Sequence, residues 1–383
     1  MIKIKSDRII TEKGLTDGFL YLDKGKIADI TRKEGAKCDE EYDFTGLYVS
    51  PGFIDLHTHG GGGYAFTFSS EEEVVKGCLF HLRHGTTTIL PTVSAGPFSA
   101  IRSAVENIDA AMKSKKLPKI IAGAHLEGPY LSSAQCGAQC PDFIIKPDKR
   151  QYTSLISDFP KAIARWTYAP ECDKGGAFCK YVSEHGIIAS MGHTDATYED
   201  AVIAVKNGCS LVTHLYSCTS TVTRVHGYRR PGVIEAAFLR DELSVEIIAD
   251  GVHLPPELIK MILKVKGRDR VALVTDSLAI AGTDIKEGVM SGTPFIVEDG
   301  VCKLKDRSAF AGSVATAEIL VRTLVSKCSE SVVGAVKMLT EVPARILNVK
   351  KGVIRCGFDA DIVVFDDKIT VREVFTDGRR HNF

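Results

Sequence analysis

Six residues whose side chains bind metals or move protons sit at the ends of successive apolar runs in this chain, and few folds can use that layout. His57 and His59 close the run Phe53-Ile54-Asp55-Leu56-His57-Thr58-His59, and Glu127 lies in His125-Leu126-Glu127-Gly128-Pro129. His193 follows Met191-Gly192, His214 follows Val212-Thr213, and Asp276 follows Val274-Thr275. Each run reads as a strand. A (β/α)8 barrel gathers the C-terminal ends of its strands around one pocket, so residues remote in sequence meet there. One histidine at one strand end carries little weight; six such ends constrain the fold.

Strand and helix patterns alternate through the middle of the chain, which argues for a parallel sheet. Eight strand candidates can be read, at 53–57, 86–90, 120–126, 166–170, 187–191, 211–215, 245–249 and 271–275. Ser70 precedes three glutamates as a helix N-cap with an acidic first turn, and a helix over 200–207 is closed by Gly208. No Gly-x-Gly-x-x-Gly follows the first strand, which argues against an open dinucleotide-binding sheet. The run Gly60 to Gly63 is expected to form a flexible loop over a pocket. The two ends of the chain carry short strands and hairpin turns, as at Asp23-Lys24-Gly25. Neither end can bury a core alone. The expected architecture is α/β: a (β/α)8 TIM-like barrel over 51–347, with a small β-sandwich domain built from 1–50 and 348–383.

Of 383 residues, 44% are hydrophobic, ample for a large core, and 48 lysines and arginines balance 48 acidic residues. That balance offers nothing to a nucleic acid or an anionic membrane. No stretch reaches the ~20 apolar residues that span a bilayer, and Met1 to Ser6 lacks a signal-peptide core. Eleven cysteines at irregular spacing suit reduced thiols. A soluble, cytoplasmic protein is the expectation.

On a strand, residues two apart point the same way, so His57 and His59 can grip one cation together. Glu127 can bind one metal or bridge two, or serve as an ordinary cap or salt-bridge partner. His193 and His214 can add nitrogen ligands. Asp276 stands where a general base is needed to take a proton from water and pass it to a leaving group, although Ser277 beside it also allows a helix N-cap. His253 can polarise a carbonyl or ligate a metal; the first is favoured. His125 faces the same side as Glu127 and can support that carboxylate. His81 and His84 fall at a helix end, where positive charge suits the dipole.

These segments, together with Asp250-Gly251-Val252-His253 and Ala311-Gly312-Ser313, resemble the N-acetylglucosamine-6-phosphate deacetylases of the amidohydrolase superfamily, with Leu126-Glu127-Gly128-Pro129 the sharpest match. The resemblance implies metal-dependent hydrolysis of the N-acetyl group of N-acetyl-D-glucosamine 6-phosphate, giving glucosamine 6-phosphate and acetate. It implies one or two divalent metals per subunit, zinc or iron foremost, with cobalt or manganese also accommodated. His57, His59 and Asp276 would hold the first metal, His193 and His214 the second, with Glu127 bridging. Asp276 and His253 would be catalytic. Substrate contacts would come from Ala138, Gln139, Ser217, Cys218, Arg229, His253, Phe310, Ala311 and Gly312. A homodimer is also implied, with Arg229 reaching phosphate across the interface. The chain departs from the pattern at Ser217-Cys218-Thr219 (Asn-Ala-Met in the family), at Arg229-Arg230-Pro231-Gly232 (Arg-Glu-Pro-Gly), and at Gly137-Ala138-Gln139 (Gly-x-His). These departures leave room for an alternative: an amidohydrolase acting on a different N-acyl amino sugar or other acyl amide.

Overall fold

The computed structural model describes residues 1–35, 37–290 and 293–383. Its centre is a parallel eight-stranded sheet whose strands run in chain order: Phe53–Thr58, Thr86–Ser94, Ala124–Glu127, Ile163–Tyr168, Ile188–Met191, Leu211–Val212, Ser244–Ile248 and Val271–Val274. All eight expected strands are present. The first and last meet to close the barrel through a parallel bridge between Thr58 and Ser277, with His59 N donating to Ser277 O at 2.7 Å. Asp55 reinforces that seam, accepting from Thr275 Oγ1 at 2.6 Å and from Thr275 N at 3.2 Å. Burial is the main influence on the Asp55 carboxyl and pushes it up to about 6.

Helices pack outside the barrel for local reasons. Ser70 caps Glu71–Arg83 in a capping box with Glu73, and Val74, Val75, Cys78 and Leu82 form the face turned inward. The strands themselves are buried on both sides, and their polar residues, such as Asp55 and Thr92, are enclosed with the apolar ones.

The two termini share one sheet. Strand Tyr48–Pro51 pairs with Ile362–Phe365, joining the N-terminal hairpins to the C-terminal ones. At the far edge, Ile27 N donates to Phe358 O and Gly357 N to Ile27 O, so the sheet turns back on itself around Ile4, Leu20, Val49, Ile362 and Phe375. This small β layer has a core separate from that of the barrel.

Two features depart from the sequence reading. The Gly60–Gly63 run is not a flexible loop: Gly60–Gly61 pairs with Tyr64–Ala65 as a short hairpin. A Cβ on Gly61 would lie 2.4 Å from Phe80 Cδ1, so only glycine lets this hairpin pack on the helix. An antiparallel four-stranded sheet, Glu287–Met290, Thr293–Glu298, Val301–Leu304 and Phe310–Ser313, is inserted after the eighth barrel strand. Ser277 bridges to Ser313, which hangs this sheet beside the barrel mouth.

Candidate metal centre

Glu127 ends the third barrel strand and lies at the middle of the predicted cluster. Its Oε1 has the Nε2 atoms of His57, His193 and His214 at 3.3, 3.1 and 3.0 Å, while its Oε2 has His59 Nε2 at 3.1 Å. Asp276 Oδ1 lies 3.3 Å from both His57 Nε2 and His59 Nε2. All six residues chosen from the sequence therefore meet at one end of the barrel. Two three-residue groups bring ligand atoms within 4.8 Å of one another, His57-Glu127-His214 and His57-His59-Asp276, and His57 belongs to both.

The backbone is bent to achieve this. His193, His214 and Asp276 have φ of +47°, +25° and +47°, values that L-residues seldom adopt and that cluster at functional sites. Each lies two residues beyond the end of its strand, where the chain turns at the barrel mouth.

The electrostatics follow from burial and crowding. Burial opposes charge on Glu127, yet His57 and His193 hold it well below the usual carboxylate range. Burial likewise presses His57 down, but Glu127 and Asp276 raise it to about 10. Three imidazole nitrogens face one carboxylate oxygen, which offers about two lone pairs, and His57 Nε2 faces His59 Nε2 at 3.2 Å. This is more nitrogen and oxygen lone-pair density than hydrogen bonding can use, and it fits a divalent cation.

Beneath the cluster lies a polar tier that the sequence reading missed. Arg165 is fully buried and faces Glu246 across the barrel, with Nη2 at 2.7 Å from Oε2. The guanidinium also donates to Leu56 O, Ser190 Oγ and Thr213 Oγ1 at 3.0, 3.1 and 2.8 Å. Glu246 Oε2 is 3.7 Å from His57 Nδ1. The available signal was a single charge inside each of two apolar runs, Ile163-Ala164-Arg165-Trp166 and Val245-Glu246-Ile247. His125 belongs to this tier, not to Glu127: it bonds Thr92 Oγ1 and Thr167 Oγ1 at 3.1 and 2.7 Å and sets its ring edge-on to His57. Burial, then Arg165, drives it well below the ordinary histidine value.

A cavity of about 860 Å³ opens over the cluster. Among the predicted substrate contacts, Ala138, Gln139, Ser217, Cys218, His253, Phe310, Ala311 and Gly312 all line it. Arg229 does not; it is exposed on the hairpin Thr223–Val225 and Tyr228–Arg230, and its Nη1 donates to Gly227 O at 3.0 Å. No lysine or arginine is among the described residues lining the cavity. His253 stands apart from the ligand cluster, its Nδ1 at 2.7 Å from Asp250 Oδ2. The helix-end histidines also depart from expectation. His81 is buried, with Nε2 at 2.8 Å from Gly60 O, and burial lowers it to about 4, so it carries no dipole-matching charge. His84 pairs with Glu318 at 2.6 Å.

The amidohydrolase family model matches residues 48–381. This chain belongs to that family. The amidohydrolase is 30% identical over 361 residues to N-acetylglucosamine-6-phosphate deacetylase of Lysinibacillus sphaericus, covering 94% of this chain and 92% of that one. It is also 30% identical over 339 residues to N-acetylgalactosamine-6-phosphate deacetylase of a Shewanella species, covering 88% and 84%. Among solved structures it is similar to a mutant N-acetyl-D-glucosamine-6-phosphate deacetylase of Mycobacterium smegmatis in complex with N-acetyl-D-glucosamine-6-phosphate. That similarity has a TM-score of 0.91 at 27% identity, over 99% of this chain and 98% of the other.

Proposed function

We propose that this amidohydrolase removes the N-acetyl group of N-acetyl-D-glucosamine 6-phosphate, giving glucosamine 6-phosphate and acetate. The observation that carries the reading is the convergence of four histidines, Glu127 and Asp276 at the floor of a cavity wide enough for a sugar phosphate. His57, His59, Glu127, His193, His214 and Asp276 would hold one or two divalent cations, zinc or iron foremost. When bound, such a cation supplies Lewis acidity that eases deprotonation of water near neutral pH and polarises the acetyl carbonyl.

The chain's own groups would do the rest. Asp276 lines the cavity and, against the opposing effect of burial, is held below the usual carboxylate range by His57 and His59. It would accept a proton from the attacking water and return it to the departing amine nitrogen as the amide C–N bond breaks. His253, steadied by Asp250, would stabilise negative charge on the carbonyl oxygen. Ala138, Gln139, Ser217, Cys218, Phe310, Ala311 and Gly312 would shape the sugar subsite. The absence of lysine and arginine among the cavity's described lining residues, and the exposed position of Arg229, support a homodimer in which Arg229 meets the phosphate of the neighbouring subunit's substrate. No helix among the described residues is long and apolar enough to cross a membrane; a cytoplasmic setting is part of the proposal.

Steady-state deacetylation of N-acetylglucosamine 6-phosphate, its unphosphorylated parent and the galactosamine epimer tests this reading. A strong preference for the phosphorylated glucosamine compound is expected. Turnover of the epimer alone would move the assignment to the other named relative's substrate, and no turnover of any of the three would overturn it.

A further inference from the structure

We infer that Gln139 is a positioning residue for the metal-binding carboxylate, holding Glu127 so that its two oxygens are divided between the two halves of the ligand set. The inference rests on the metal centre proposed above. Gln139 Nε2 donates to Glu127 Oε2 at 2.6 Å, and Gln139 Oε1 accepts from Ala95 N at 3.0 Å. The second bond fixes the first: the Ala95 N–H needs an acceptor, so the amide oxygen must face Ala95 and the NH2 must face Glu127. With Oε2 held by this donor and by the approach of His59, Oε1 is the atom turned toward His57, His193 and His214.

Both neighbours of Oε2 are anchored to the same place. His59 Nδ1 meets Ser94 Oγ at 3.0 Å, and Gln139 is tied to Ala95, the next residue in the chain. The end of the second barrel strand thus sets the carboxylate of the third from two sides. Gln139 is itself placed by a turn in which its N–H donates to Cys136 O at 3.0 Å. A side chain using its oxygen and one N–H in this way has only one N–H left for a sugar. Its main action therefore falls on Glu127, and removal of such outer hydrogen bonds to a ligand typically costs about 10–100-fold in metal affinity.

The test is zinc affinity measured by competition with a chromophoric chelator, for the full-length protein and for Gln139→Ala and Gln139→Met. The methionine variant keeps the side-chain volume and loses the donor, so equal effects in the two variants separate lost hydrogen bonding from loop collapse. Zinc affinity is expected to fall by roughly 10–100-fold in both, and kcat to fall further at limiting than at saturating zinc. Zinc affinities within twofold of the parent would overturn the inference, as would a kcat loss of the same size at limiting and at saturating zinc. Failure of the unmodified protein to bind zinc, iron(II), cobalt or manganese would instead remove the metal centre itself.

Discussion

Asp250 Oδ2 accepts a hydrogen bond from His253 Nδ1 at 2.7 Å, and both side chains are under 5% exposed. Asp250 Oδ1 also accepts from the backbone N–H groups of Val252 and His253, each at 2.9 Å. One carboxylate thus fixes the turn and the ring together, leaving the Nε2 edge of His253 for the cavity. If His253 stabilises developing charge on the substrate oxygen, His253→Ala should lower kcat by roughly 10²–10³-fold, in the range seen for loss of one oxyanion donor. Asp250→Asn keeps the backbone contacts and disturbs only the ring, so it should lower kcat by a comparable amount. Because both substitutions remove one device, the double variant should be little worse than either. Additive losses in the four-way kinetic comparison would separate the two roles.

The Arg165–Glu246 pair predicts a different kind of cost. Both groups are fully buried, and removing one leaves the other as an uncompensated charge inside the barrel. Arg165→Met should destabilise the protein by about 3–5 kcal/mol, whereas Arg165→Met combined with Glu246→Leu should recover much of that loss. Urea unfolding midpoints of the three proteins decide the matter. A double variant as unstable as the single would point to the lost contacts with Leu56, Ser190 and Thr213 in place of the stranded charge.

His81 supplies the pH dependence. Burial lowers it from 6.5 in the ordinary state to about 4 in the folded protein. The unfolded chain therefore takes up a proton near pH 6.5 that the folded chain refuses until about pH 4. The stability that His81 contributes is whole above pH 6.5 and is lost as pH falls through that window, by about 3 kcal/mol in all. His81→Gln should lose this slope. The measurement is the difference in unfolding free energy between parent and variant at pH 7 and pH 4.5. An unchanged difference would show that His81 is protonated in place.

The barrel and its six converging candidate ligand residues were legible because the relevant signal is local twice over: an apolar run makes a strand, and the polar residue following it marks the mouth. The inserted sheet over 287–313 escaped because its strands are short and mixed, as in Glu287-Gly288-Val289-Met290. Its turn was nonetheless written in the sequence. Asp299 and Gly300 join two strands with φ of +53° and +79°, the two-residue turn that Asp-Gly favours. His226-Gly227 does the same between the arginine-bearing strands, with φ of +49° and +87°. Arg165 and Glu246 were missed for another reason. Their partner choice depends on which strands face one another across a closed barrel, and no window of sequence contains that distance. The family resemblance could place Gln139 near the site, but only the fold reveals that its amide meets Glu127.

Arg229 yields a test that separates a contribution in trans from one in cis. Its hairpin is exposed, and its side chain is not among those lining its own cavity. Arg229→Ala should lower kcat/KM for the phosphorylated sugar by roughly 10²-fold, since a charged pair lost on one side costs about 2–5 kcal/mol, and should leave the unphosphorylated sugar almost unaffected. Asp276→Asn should be inactive on both. In the proposed homodimer, unfolding and refolding an equal mixture of the two variants should make hybrids of about half of the molecules. If Arg229 acts across the interface, each hybrid has one site with an intact Asp276 and an intact arginine opposite it. Activity should then return to roughly a quarter of the parent's. If Arg229 serves its own subunit, no hybrid contains a complete site and mixing restores nothing.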